Sequence, residues 1–172
     1  MEFDLKYVYW VEPNQLAGRP GPDRAPWDPA ELKAGGIGGI VSLCGPVDST
    51  PLKAIGIKHL SVAQPMILLE TEPMRERFLA VMKPAFRFSR ECLENGEAVL
   101  VHCYHGCDRS GAVLACHLVA WRGLSAAEAV AQVRRANPAA MSAFGYAQAV
   151  ATFERIYHAS PAAFEPVQVP GS

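Results

Sequence analysis

Neither sign of charge dominates this sequence, no apolar run is long enough for a membrane, and the cysteines cannot all pair. Lys and Arg number 16 against 17 Asp and Glu, a net charge of −1, so electrostatics gives no case for a nucleic-acid partner or an anionic surface. The longest apolar stretch, "GAVLACHLVAW", is about half the ~20 residues of a spanning helix, and no membrane insertion is expected. The opening "MEFDLKYVYW" has acidic residues and nothing of signal-peptide type, so a cytoplasmic location is expected. Five cysteines (44, 92, 103, 107 and 116) are an odd count in 172 residues, unlike a secreted disulfide framework. Aspartate is sparse as well: after Asp48 the next is Asp108.

Half of the residues are apolar and 19% are charged, the balance of one folded domain, expected over residues 1–160 with a flexible tail at 161–172. "FDLKYVYWV" predicts an edge strand, and the Pro/Gly-rich segment 13–30 predicts irregular chain. Asp28 and Pro29 open a helix that stops at Gly35. "GGIVSLC" and "IKHLSVA" predict strands, with a short helix in "STPLKAIG" between them. A long helical stretch runs from Glu72 to Asn95, with a kink or break expected at Pro84. "AVLVHC" is a strand, followed by three helices beginning "SGAVLACHLVAWRG", "SAAEAVAQVRRANP" and "MSAFGYAQAVATFERIYHA". Strands alternating with helices predict an α/β domain with a mostly parallel central sheet flanked by helices.

Between "AVLV" and "GAVLACHLVAW" lies "HCYHGCDRS", at the carboxyl end of a strand and the amino end of a helix. Ligands of open α/β sheets bind in that crevice, and a helix amino terminus favours anions. The five residues between Cys103 and Arg109 suffice for a loop with inward N–H groups, and Gly106 lets it turn. The fork of Arg109 grips two oxygens of a phosphate, and Ser110 places a hydroxyl near the sulfur. Such surroundings favour a thiolate. An unperturbed thiol is roughly 3% ionised at pH 7, so full ionisation gains about 30-fold, or ~2 kcal/mol. Enzymes accelerate reactions by at least ~10⁶, so positioning and charge stabilisation by amides and arginine must supply most of the rate.

"HCYHGCDRSG" resembles the His-Cys-x5-Arg-Ser/Thr signature of the protein tyrosine phosphatases, especially the small dual-specificity group. "NQLAGRPGP", "GIGGIVSLC", "GIKHLSV" and "VRRANPAAMSAFGYAQAVATFE" resemble further parts of those domains, so the likeness spans roughly residues 7–157. It implies a dual-specificity-phosphatase-like single domain that needs no cofactor and hydrolyses phosphomonoesters through a phosphocysteine. Cys103 matches the nucleophile, Arg109 the phosphate-binding arginine, Ser110 the hydroxyl that assists breakdown of the intermediate, and His102 the histidine that tunes the thiol. Tyr104, His105, Gly106, Cys107, Asp108 and Arg109 would form the substrate cradle. Phosphotyrosine and phosphoserine/threonine proteins are the expected substrates. A phosphoinositide or another small phosphomonoester, or a pseudophosphatase that binds phosphorylated partners without turnover, is the alternative.

The likeness departs at the general acid. Gln64 stands where the family's mobile loop carries its aspartate. Asp108 is the first replacement, since its "DRS" context resembles the ending of the myotubularin and Sac-type phosphoinositide phosphatases. Glu70 or Glu72, with proton affinity raised by burial, is the second; the third alternative is no acid at all, with good leaving groups such as aryl phosphates strongly preferred. Cys44 resembles the second cysteine with which some relatives form a reversible disulfide to the nucleophile, which makes it a candidate redox partner; Cys107 competes for that role. Gln148 resembles a glutamine used near the site in some members, and Arg134, Arg135 and Arg19 are candidate sources of positive potential. His102, Cys103, His105 and Cys107 do not read as a metal site: their spacing matches no zinc pattern and Arg109 would repel the ion. A rhodanese shares the strand, cysteine loop and helix, but the histidine and arginine fit phosphate better.

Overall fold

The computed structural model describes residues 5–64 and 68–164. Five strands form one sheet in the order β1-β2-β5-β3-β4: β1 Tyr9–Glu12, β2 Leu16–Pro20, β3 Ile37–Ser42, β4 Lys58–Ser61 and β5 Ala98–Cys103. The edge strand β1 runs antiparallel to β2, and every other pairing is parallel. Helices α1 Pro29–Ala34 and α2 Thr50–Ala54 lie between the early strands. Helices α3 Glu72–Leu79 and α4 Met82–Glu94 precede β5, and α5 Arg109–Arg122, α6 Ala126–Ala136 and α7 Tyr146–Ala159 follow it.

The two-residue period of β5 divides the core. Val99, Val101 and Cys103 join the large cluster with residues of α3 to α7, while Ala98 and Leu100 pack with Leu32 and Leu52 from α1 and α2. All six residues of β5 are buried, as expected for the middle strand of a parallel sheet covered on both faces. Helix α5 is buried from Arg109 through Val119, which explains why its sequence shows little amphipathic pattern.

Three sequence expectations need correction. The segment 13–30 contains β2, whose five residues "LAGRP" are hidden among turn formers; Pro20 is tolerated because it ends the strand. The break in the 72–95 stretch falls at Ala80–Val81 rather than at Pro84, which sits in the first turn of α4. The backbone N–H that proline lacks has no intrahelical acceptor there. The last helix begins at Tyr146 rather than at Met141. Of the expected tail, 161–163 form a 3₁₀ turn and Phe164 packs on Phe86, Phe153 and Tyr157; 165–172 lie outside the described residues. No helix among the described residues is long and apolar enough to cross a membrane.

Candidate active site

Strand β5 ends at Cys103 and α5 starts at Arg109, so the intervening loop sits at the carboxyl edge of the sheet, at the amino terminus of its most buried helix. Gly106 turns the loop at φ +74, and a Cβ there would stand 2.4 Å from the Arg19 carbonyl carbon. Glycine is therefore required twice over, by backbone angle and by space. The Cys103 side chain is 2% exposed, and its Sγ lies 3.5 Å from the Ser110 Oγ. Arg109 is also buried and donates from Nη1 to the Gln64 carbonyl at 2.7 Å. The Gln64 backbone N–H in turn donates to Leu43 at 2.7 Å. Gln64 thus meets the arginine through its main chain.

His102 points to the opposite face of β5 from Cys103. Its Nδ1 faces the Cys103 carbonyl at 3.3 Å and so carries the proton. Nε2 is then an acceptor, taking the Ser42 hydroxyl at 2.6 Å, and Ser42 Oγ accepts from His59 Nε2 at 2.7 Å. The Trp27 ring meets the imidazole edge-on with centroids 5.1 Å apart. Burial holds His102 down at about 4, against an opposing pull from the Cys103 hydrogen bond. The ring is neutral near pH 7, so it acts on the loop as an oriented dipole rather than as a cation.

The rest of the loop is distributed unevenly around the cradle. Tyr104 is 41% exposed, with Arg24 over its ring at 6.0 Å and His105, also exposed, edge-on at 4.9 Å. Cys107 is half-buried, donates its thiol to the His105 carbonyl at 3.5 Å and receives Asn137 Nδ2 at 3.8 Å. It lines a cavity of about 260 Å³ with Tyr7, Tyr9 and Pro138. Asp108 precedes α5, and its Oδ1 accepts from the Ala143 N–H at 3.2 Å.

Glu70 and Glu72 are both exposed, and Glu72 forms an ion pair with Arg155. Neither has in this structure the burial that the alternative acid requires. Cys44 is half-buried and unpaired. Burial pushes its thiol up while Arg109 pulls it down and Cys103 adds a further upward push, so the three groups share one neighbourhood. Gln148 is spent at the start of α7, where its Oε1 accepts from the Gly145 N–H at 3.0 Å. Arg134 holds the carbonyls of Ala140 and Met141 at 3.0 and 2.9 Å, Arg135 is exposed, and Arg19 is buried under the loop on the carbonyls of Pro20 and Ala25. Sequence reasoning missed Tyr9, Ser42, His59, Asn137 and Tyr146. Tyr146 is buried, and its phenol is pushed up chiefly by that burial, with Arg109, Asp108 and Cys103 in electrostatic range. Among the described residues no cluster of three or more His, Cys, Asp or Glu is placed to hold a metal ion.

A buried thiol, a hydroxyl beside it, an arginine and a helix amino terminus converging on one loop make an anion cradle with a nucleophile at its base. Known proteins share this fold. A family model described as the dual specificity phosphatase catalytic domain matches residues 53–156. Among solved structures, a variant of human DUSP28 is 27% identical, with 89% of this chain and 97% of that one covered at a TM-score of 0.71. A mouse dual specificity phosphatase complexed with zinc tungstate is 25% identical, with 94% of each chain covered, also at 0.71. PTPMT1 in complex with PI(5)P, at 15% identity, shares the fold over 91% of this chain and 99% of that one, at 0.75. The chain belongs to the dual specificity phosphatase catalytic domain family, within the cysteine-dependent protein tyrosine phosphatase superfamily.

Proposed function

We propose that this phosphatase hydrolyses phosphotyrosine and phosphoserine/threonine on proteins through a phosphocysteine on Cys103. The observation that carries the mechanism is the 3.5 Å approach of Ser110 Oγ to a buried Cys103 Sγ at the mouth of α5. The thiolate attacks phosphorus in line, and the P–O bond to the leaving group breaks as the S–P bond forms. Arg109 turns its fork from the Gln64 carbonyl to two equatorial oxygens, and the amides of 104–109 take the remaining charge. Asp108 delivers a proton to the leaving oxygen and takes one back from the water that hydrolyses the intermediate. Its position beside Arg109, and the exposure of Glu70 and Glu72, support that assignment.

A phosphoinositide substrate is favoured by a separate observation. Leu68 and Phe144 are 51% and 58% exposed on segments that meet where Gly145 touches the Leu69 backbone, close to the Ala143–Asp108 contact. The fold match to PTPMT1, solved with PI(5)P, points the same way.

Phosphate release from phosphotyrosine and phosphothreonine peptides, measured beside short-chain phosphoinositides, separates the two. Protein specificity predicts the higher kcat/KM on the phosphotyrosine peptide. A preference of about tenfold or more for a phosphoinositide would transfer the assignment to lipids. Asp108→Asn tests the acid: it lowers kcat/KM by about 10²-fold or more, with the larger loss on alkyl than on aryl phosphates.

A further inference from the structure

Tyr9 lies on the edge strand β1, 97 positions before Gly106, yet its hydroxyl donates to the Gly106 carbonyl at 2.6 Å. The reach depends on one residue of β2. Tyr9 pairs with Gly18 in the sheet register, and a Cβ at Gly18 would stand 2.3 Å from the phenol ring. The bare backbone at 18 leaves room for the ring to cross β2 and arrive behind the loop.

Ser110 and Asn137 are neighbours of the phenol. Asn137 Nδ2 also donates to the Gly106 carbonyl, at 3.4 Å. The phenol already gives its own hydrogen to that carbonyl, so towards a neighbouring hydroxyl it can only accept. Burial pushes Tyr9 up to about 12, which keeps the donor protonated. Ser110 stands four positions after Gly106, in the first turn of α5, and the Gly106 carbonyl is an acceptor for which its hydroxyl could compete. Tyr9 occupies that carbonyl at 2.6 Å, and the Ser110 hydroxyl lies 3.5 Å from Cys103 Sγ.

We propose that Tyr9 is a positioning residue that keeps Ser110 available to the sulfur. It pins the Gly106 carbonyl away from the anion and presents the Ser110 hydroxyl as a hydrogen bond that passes from the phenol to Sγ during breakdown of the phosphocysteine. In that step the water O–P bond forms as the S–P bond breaks. The electron pair stays on sulfur, and a water proton goes to the Asp108 carboxylate. Ser110 stabilises the departing thiolate without transferring its proton. The proposal rests on the phosphocysteine mechanism above and adds a residue that acts through Ser110.

The test is a double-mutant cycle of Tyr9→Phe and Ser110→Ala on an aryl phosphate. With so good a leaving group, hydrolysis of the intermediate governs kcat, while kcat/KM reports the steps up to its formation. Tyr9→Phe keeps the ring, and Asn137 remains as second donor to the carbonyl. The expected result is a fall in kcat of about tenfold, kcat/KM within about threefold, and no further loss when Ser110 is already alanine. Unchanged kcat overturns the proposal. So do independent losses that multiply, or equal falls in kcat and kcat/KM together with a lower Tm. Alkylation of Cys103 by iodoacetate, with and without tungstate, keeps the two levels apart. A wild type that neither hydrolyses the aryl phosphate nor gains protection from tungstate removes the phosphatase mechanism and this proposal together. A protected, active wild type with an unaltered Tyr9→Phe kcat removes the Tyr9 proposal alone.

Discussion

Cys103, Arg109 and Ser110 converge because one turn of chain carries all three, and the cost of that turn falls on Gly106. A side chain there would need φ +74 and would drive its Cβ into the Arg19 backbone at 2.4 Å. Backbone cannot yield as a flexible side chain does. The left-handed angle alone costs about 1–2 kcal/mol, and displacement of the cradle by an ångström costs about 10²-fold in rate. Gly106→Ala is expected to lower kcat/KM by at least that factor and to weaken tungstate inhibition in parallel. Near-normal inhibition would show that the loop relaxes around the methyl group. Glu72→Gln gives the opposite case: it breaks an exposed pair with Arg155, worth about 0–1 kcal/mol, and leaves the acidic limb of the pH–rate profile in place. Loss of that limb would restore Glu72 as the acid. The loop residues were legible in the sequence because they are neighbours in it. Tyr9, Ser42, His59 and Asn137 were not, because each reaches the loop or its histidine across a tertiary contact that no local spacing records.

At the scale of elements, two strands and one connection hold the cradle in place. Register pairs Arg19 with His102 and Pro20 with Cys103, so β2 supplies the floor on which the loop turns. That strand escaped the sequence because it is short and ends in proline beside a glycine, whereas β5, apolar over its first four residues, announced itself. The helix break at Ala80–Val81 was illegible for a related reason: proline in a first turn reads the same as proline that breaks a helix. The connection from α6 to α7 supports the cradle from the side. Arg134 fixes the Ala140 and Met141 carbonyls, and the Met141 N–H donates to the Cys107 carbonyl at 3.1 Å. Arg134→Ala removes two charge-assisted bonds at a cost of about 1–3 kcal/mol. Thermal unfolding is expected to move down by several degrees, with KM rising more than kcat falls. An unchanged Tm would mean that the connection holds without the guanidinium.

Across the whole molecule, the two faces of the sheet each bury a neutral histidine. His102 lies under Trp27 on one side. His117 lies inside α5 on the other, donating to Val113 at 2.7 Å and facing Ser89 Oγ at 3.1 Å. Burial is the first cause in both, and each is held at about 4 against an ordinary 6.5. Between those values the unfolded chain binds protons that the folded chain refuses. Stability from these groups is therefore complete above about pH 6.5 and is lost as pH falls towards 4, on the order of 3 kcal/mol for each histidine. Urea unfolding at pH 7, 5.5 and 4 is expected to show the midpoint falling throughout, and a flat midpoint would contradict both assignments. The same division of faces sends Cys103 into the helical core side and its histidine to the other, and the chemistry depends on that geometry. The most direct test of the central claim is rapid acid quench of the enzyme turning over an aryl phosphate, followed by mass analysis of the peptide holding Cys103. A gain of one phosphoryl group on Cys103 that is absent in Cys103→Ser is expected, together with loss of turnover in that variant. Turnover by Cys103→Ser, or phosphate release with no phosphoryl group ever on the sulfur, would contradict it.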